Sequence, residues 1–272
     1  EGIPALISTL DRLSKEVGER STDGLFRLPI DRVFVMKGFG TVVTGTVVSG
    51  TLSIGESVQI LPSRVEAKVR TLQVYNQPVE KALAGQRAAV NLQGIETSAV
   101  ERGDVLVHTH TLVPTRVLDV SIEYLPSAER PLRNRTRQRF HIGTNLTSAS
   151  IFLLDREELV PGESGFAQLR LEAPVVALPH DRFVIRGSGV IQTLGGGVVL
   201  DAHPTRHKRN APSVIEDLTT LREGSHDEAV AQHIRRSGMR GIASDDLLKR
   251  VATSSSEVQR VIKKMIDQGE VL

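Results

Sequence analysis

The sequence predicts a mainly β chain with an α-helical C-terminal part: two successive β-barrels and then a winged-helix unit. Three observations carry this. From about residue 25 to 202, short apolar runs are broken by Gly and Pro without helical stretches between them, a texture of barrels or sandwiches and not of a parallel sheet. DRVFVMKGFG (31–40) is echoed by DRFVIRGSG (181–189): an Asp-Arg pair, an apolar strand, a basic residue and Gly-x-Gly. The echo divides the β region into two units with a boundary near 113. After Asp201 the pattern turns helical.

Residues 3–17 read as an amphipathic helix. Ile3, Leu6, Ile7, Leu10, Leu13 and Val17 recur at spacings of three and four, Pro4 suits the first turn, and Gly18 stops it. RVFVMK, TVVTGTVVSG, SVQILP, AKVRTLQV, RAAVNLQG and DVLVH read as strands of the first barrel. SIGESVQI reads as a hairpin turning at Gly55-Glu56. After Pro114 the series restarts with TRVLDVSIEYLP, QRFHIGT, SASIFLLD, GFAQLRLE, DRFVIRG and GGGVVLD. HPTRHKRNAP is a polar, Pro-bounded linker. Three helical segments then lead into a strand begun by EVL, the order of a winged helix-turn-helix. Ser244 is the expected N-cap of SDDLLKRV and Gly269 the expected C-cap of the last helix. Arg260, Lys263 and Lys264 fall on that last helix's polar side, as a groove-reading helix or a solvated face would have them. The implied division is 1–20, a helix and linker; 21–112 and 113–202, the two barrels; and 203–272, a linker and an incomplete winged-helix unit.

Composition narrows the chemistry. Aromatics make up 3% and Trp is absent, so the cores must be built from Val, Leu and Ile. With no Cys there are no disulfides, thiolate zinc sites or Cys nucleophiles. No apolar run reaches membrane-spanning length. Net charge is only +2, yet ERPLRNRTRQRFH (129–141) concentrates Arg130, Arg133, Arg135, Arg137 and Arg139, and HPTRHKRN is a second basic cluster. Such clusters make a local positive field, or protect a strand edge.

Gly40-x-x-x-x-Gly45 is followed by Thr46-Val47, where a phosphate loop needs Lys and then Ser or Thr. Gly38-x-Gly40 is followed by Val43 where a dinucleotide fingerprint needs a small residue. His108 with His110, and His203 with His207, have no fixed carboxylate partner in the sequence. No catalytic nucleophile with a base and no metal set emerges, and a binding function is favoured.

GFGTVVTGTVVSGTLSIGESVQILP resembles the second-domain barrel of translational GTPases of the elongation factor Tu type, and DRFVIRGSGVIQTLGGGVVLD the end of their third domain. IDRVFVMKGFGTVVTGT, AGQRAAVNLQGIE (84–96) and a winged-helix segment after the second barrel resemble the bacterial selenocysteine-specific elongation factor (SelB) family within them. The resemblance covers nearly the whole chain. It implies a GTP-dependent factor that delivers selenocysteinyl-tRNA to the ribosome at recoded UGA codons, a cytoplasmic monomer without membrane contact. It further implies that residues 1–17 match the final helix of a GTPase domain not included here, so GTP and magnesium belong to that domain and this chain has no cofactor or catalytic activity of its own. The messenger-RNA hairpin falls to further C-terminal winged helices.

By the same resemblance the aminoacyl pocket falls on Asp31, Arg32 and Arg87. The chemistry is sound: a selenol is more acidic than a thiol, whose pKa is about 8.5, so selenocysteine is an anion at neutral pH that arginines can hold. Serine would leave a desolvated guanidinium uncompensated, at a cost of roughly several kcal/mol. Arg32 and Arg87 are expected to contact the selenolate, with Asp31 orienting Arg32 or receiving the α-amino group; read without the family, the Asp-Arg pair is an ordinary surface ion pair. Arg133, Arg135, Arg137 and Arg139 are expected on the tRNA backbone. Two other readings stay open: a fragment of a translational GTPase that binds ordinary aminoacyl-tRNA, and a DNA-binding winged-helix regulator with ligand-binding barrels.

Overall fold

The computed structural model describes residues 2–16, 22, 24–36, 38, 40–189, 192–251, 253 and 255–270. The expected helix end at Val17 and Gly18 and the strand at Val271 and Leu272 lie outside them.

Helix α1 (Ile3–Glu16) buries none of its residues, and Ile3, Leu6, Ile7, Leu10 and Leu13 stay exposed. The first barrel is built from β1 (Arg27–Met36), β2 (Gly40–Thr46), β3 (Thr51–Ser53), β4 (Ser57–Leu61), β5 (Val65–Val74), β6 (Gln77–Val79), β7 (Lys81–Leu83), β8 (Arg87–Gln93) and β9 (Val105–His108). Six antiparallel strands run β4-β9-β1-β2-β8-β5 and close through β4–β5. The branched residues of these strands point inward alternately, so Leu28, Ile30, Val43, Val58, Ile60 and Val90 form the core with Phe26.

SIGESVQI is not a hairpin. Gly55 turns the chain with φ +86°, but β3 pairs with β7 while β4 pairs with β5 and β9. The turn is held locally, by Ser53 N–H donating to the Glu56 carboxylate at 2.9 Å; barrel closure claims β4 for β5 and β9, while β3 joins β7 in a separate two-stranded ribbon.

The second barrel comprises β10 (Thr115–Tyr124), β11 (Leu132–Arg133), β12 (Arg137–Ile142), β13 (Asn145–Leu153), β14 (Glu158–Leu159), β15 (Ser164–Val175), β16 (Arg182–Arg186) and β17 (Thr193–Asp201). Six of these close in the order β10-β15-β13-β12-β16-β17, with β11 and β14 forming a small side ribbon. Gly195, Gly196 and Gly197 lie on β17 between β10 and β16. A Cβ at Gly197 would fall 1.9 Å from the Ser121 carbonyl oxygen, so the glycine run is a requirement of close strand approach.

The barrels are locked together. Arg27 donates two hydrogen bonds to Asp181, at 2.6 and 2.8 Å, and both side chains are largely buried. Around this pair Leu61, Val105, Val107 and Leu112 pack against Val176 and Leu178.

The 203–210 linker is strapped to the second barrel. His207 hydrogen-bonds buried Asp119 at 2.6 Å, and Gln168 donates both to Asp119 and to the Thr205 carbonyl at 2.9 Å. Helix α2 (Pro212–Glu223) then seats Leu218 and Leu221 on Leu154, Phe166 and Leu200 of the barrel. Helices α3 (His226–Ser237), α4 (Ser244–Val251) and α5 (Ser255–Asp267) form a separate core from Val230, Leu247, Val251, Val258, Val261 and Met265. A capping box of Ser225 and Glu228 opens α3. Gly269 closes α5 at φ +70° as expected, its N–H on Ile266 O and that of Glu270 on Met265 O. Ser244 is already the first helical residue of α4. No helix among the described residues is long and apolar enough to cross a membrane.

Candidate functional site

Two strands of the first barrel build a charged cluster at its surface. In the β1–β2 ladder Ile30 pairs with Gly45 and Arg32 with Thr44, leaving Asp31 as the extra residue of a β-bulge. The bulge needs Gly45, because a Cβ there would meet the Pro29 carbonyl oxygen at 2.2 Å. Thr44 donates to Asp31 at 2.8 Å, and Arg87, the first residue of β8, grips the same carboxylate with both terminal nitrogens, Nη2 at 3.1 Å. The Asp31 side chain is one-quarter exposed and that of Arg87 about half.

Partial burial pulls the Asp31 carboxyl upward. Hydrogen bonds from Arg87 and Thr44, and the charges of Arg87 and Arg32, more than offset this and hold it below the ordinary aspartate value. The bond to Asp31 raises Arg87 in turn.

The structure therefore brings Asp31 and Arg87 together and leaves Arg32 exposed beside them, without an ion pair among the described residues. Arg87 also borders a cavity of about 270 Å³ whose walls include Thr44, Gln73, Tyr75 and Asn76. Tyr75 and Asn76 are the two turn residues between β5 and β6, both with positive φ (51° and 62°), and the turn leaves Tyr75 three-quarters exposed. The sequence reading missed this hairpin; a two-residue loop ending in Asn was the available signal.

The arginine run lies on the outside of the second barrel. Arg137 pairs with Glu172 and Arg133 with Glu158 at 3.6 Å, whereas Arg135 and Arg139 have no ion pair among the described residues. Arg139 stands across the ladder from Arg186, and Arg137 leads through Ser150 to Arg170, which stacks over Phe152 at 3.9 Å. Burial, with Arg206 and Arg135 nearby, lowers Arg170; burial, with Arg186 and Arg139 nearby, lowers His141. Like charges thus gather on one wall with serine hydroxyls between them, which makes a local positive field there. Arg170, Arg186 and Arg206 come from three separate segments, so their adjacency to the run was not readable from spacing.

Elsewhere, His108 bonds Glu56 at 2.9 Å and His110 approaches Glu66 at 3.6 Å. No metal-binding group of three or more His, Asp or Glu occurs among the described residues. On α5, Arg260 is held by Asp227 at 2.5 Å, while Lys263 and Lys264 face solvent.

Two family models match: elongation factor Tu domain 2 over residues 40–107, and the β-barrel domain of the selenocysteine-specific elongation factor over 115–206. The barrels are those of a translation elongation factor. Over nine-tenths of its length the chain is homologous to selenocysteine-specific elongation factors. It is 40% identical to that of Desulfomicrobium baculatum over 90% of this chain and 39% of the relative. With that of Escherichia coli (strain K12) it shares 32% identity over 86% of this chain and 36% of the relative. The chain therefore spans about two-fifths of the length of these relatives. The crystal structure of a bacterial selenocysteine-specific elongation factor superposes with a TM-score of 0.76, covering 93% of this chain and 40% of that one; at 24% identity this likeness establishes the fold.

Proposed function

We propose that this chain is the aminoacyl-tRNA-binding part of a GTP-dependent factor that brings selenocysteinyl-tRNA to the ribosome at recoded UGA codons. The observation that carries the reading is the Asp31–Arg87 pair, in which Asp31 sits on a β-bulge and Arg87 borders a cavity large enough for an amino acid. A selenocysteinyl ester has one negative and one positive end at neutral pH. The selenolate goes to Arg87, with Arg32 close by, and the α-ammonium to the Asp31 carboxylate that Arg87 releases. Each charge of the pair then keeps a partner. A seryl ester supplies the ammonium alone, so Arg87 loses Asp31 and gains nothing, and a site that demands a charge rejects the neutral analogue. The arginine wall takes the tRNA backbone, where phosphate contacts position without reading sequence.

The test is the affinity of the chain, joined to its upstream GTPase domain, for selenocysteinyl-tRNA and seryl-tRNA carrying the same RNA. A preference for the selenocysteinyl form that Arg87→Ala abolishes is expected. Equal affinities in the unmutated protein would refute the reading.

A further inference from the structure

The strap is pinned to the second barrel at one place, beside the arginine wall. Gln168 of β15 pairs across the ladder with Asp119 on one side and Phe152 on the other, and Arg170 follows one pleat along, opposite Ser150. Gln168 and Asp119 alternate with Leu118, Val120, Ala167 and Leu169 of the core, so they fall on the barrel's outer face. Each is nevertheless only 1% exposed, because the strap lies over them.

The two residues that flank Arg206 are the ones held. The Thr205 carbonyl accepts from Gln168 at 2.9 Å, and the His207 ring bonds Asp119 at 2.6 Å. His207 is turned inward, its side chain 7% exposed, while Arg206 between them stays exposed. Nothing local accounts for a cation at that point. Arg209, three residues on, is held by Glu157, whereas Arg206 has no ion pair among the described residues. Its nearest charges are of its own sign: Arg170 feels both Arg206 and Arg135. Arg135, Arg139, Arg170 and Arg186 are likewise without ion pairs among the described residues. An unpaired cation on a pinned backbone beside like charges raises the free energy of the protein alone, and an anion lying between the guanidiniums reverses that.

We propose that Arg206 is a further contact to the tRNA sugar-phosphate backbone, and that Gln168, His207 and Asp119 are positioning residues that hold it in line with the arginine wall. The inference rests on the tRNA reading above and extends the RNA-facing surface from the barrel onto the strap. Phosphates follow one another along an RNA strand at a regular spacing. A strand that crosses the wall meets Arg139 and Arg170 on the barrel and then Arg206, provided the strap is fixed. With its backbone already ordered, Arg206 binds without the entropy loss that a mobile linker arginine would suffer.

The test is binding of the 272-residue chain to an RNA hairpin with one turn of duplex, followed by fluorescence anisotropy over a series of salt concentrations. Arg206→Gln should weaken binding about tenfold at low salt, the worth of one charge-assisted hydrogen bond, and reduce the salt slope by about one. Arg206→Lys, which keeps the charge, should restore the slope. Arg240→Gln, the same charge change between α3 and α4, should leave affinity and slope unaltered. Gln168→Ala swaps a neutral residue for a neutral one and releases the Thr205 carbonyl. It should weaken binding severalfold when Arg206 is present and have no effect in the Arg206→Gln background, a dependence that general destabilisation would not produce. His207→Leu gives the same comparison from the other side of the strap. If Arg139→Gln lowers the slope and Arg206→Gln does not, the strap contact is overturned and the wall stands. Equal losses from Arg240→Gln and Arg206→Gln, or from Gln168→Ala in both backgrounds, overturn it too. No binding by the unmutated chain removes wall and strap together.

Discussion

Asp31 sits where a strand has one residue too many, and its position follows from that. An in-register Asp31 would stand opposite a β2 residue; as the bulged residue it is free to accept from Thr44 and Arg87 together. Its depressed titration sets an expectation with a definite sign. A carboxylate whose folded pKa lies below its unfolded one contributes stability that is present above about 4, the ordinary value, and is lost as pH falls through the depressed one. Carboxyl-detected NMR should find Asp31 titrating below ordinary aspartate, and Arg87→Ala should move it upward, since the first of the opposing bonds is gone. An Asp31 midpoint unaffected by that substitution would contradict the pairing. Family resemblance pointed to Asp31, Arg32 and Arg87, and the structure brings two of them, Asp31 and Arg87, into contact. What was not legible was which arginine holds the carboxylate, because that depends on a one-residue register slip between β1 and β2.

At the scale of elements, the strands were largely readable from their alternating branched residues and glycine punctuation, while their partners were not. Thr51–Ser53 and Ser57–Leu61 are adjacent in sequence, as a hairpin would be, yet each pairs with a strand that arrives later. Barrel closure is a non-local condition that no short window of sequence carries. The glycine run of β17 makes the same point from the other side. Gly197→Ala should cost the second barrel about 1–3 kcal/mol through forced strand separation, measured as a lower denaturation midpoint, and an unchanged midpoint would show that the strands can part freely. The strap shows the same limit, since HPTRHKRNAP read only as a polar, Pro-bounded linker and nothing in its spacing pointed to Asp119 as the partner of His207. His207→Leu should destabilise the second barrel by on the order of 1–3 kcal/mol at neutral pH, because the buried Asp119 carboxylate loses its 2.6 Å hydrogen bond and keeps the one from Gln168. Burial already pushes Asp119 up despite His207 and Gln168. The penalty should therefore shrink as pH falls and the carboxyl takes up a proton. Denaturation of the two proteins across the acid range checks both sign and size.

At the scale of the molecule, two barrels share a buried ion pair and an apolar seam, so they should melt as one unit. Replacing Arg27 by Met strands Asp181 in that seam with, among the described residues, the Leu178 N–H at 2.8 Å as its remaining side-chain partner, a loss of about 3 kcal/mol or more. Calorimetry of the variant should separate one barrel transition into two; a single transition at the original temperature would mean that the seam does not couple them. That rigidity has a consequence for recognition. The charged cluster of the first barrel and the arginine wall of the second are held at one fixed separation, like the jaws of a gauge that has been soldered. A ligand that touches both must match the gap with its own length, so the molecule can reject a candidate by measure alone, before any contact reads its chemistry.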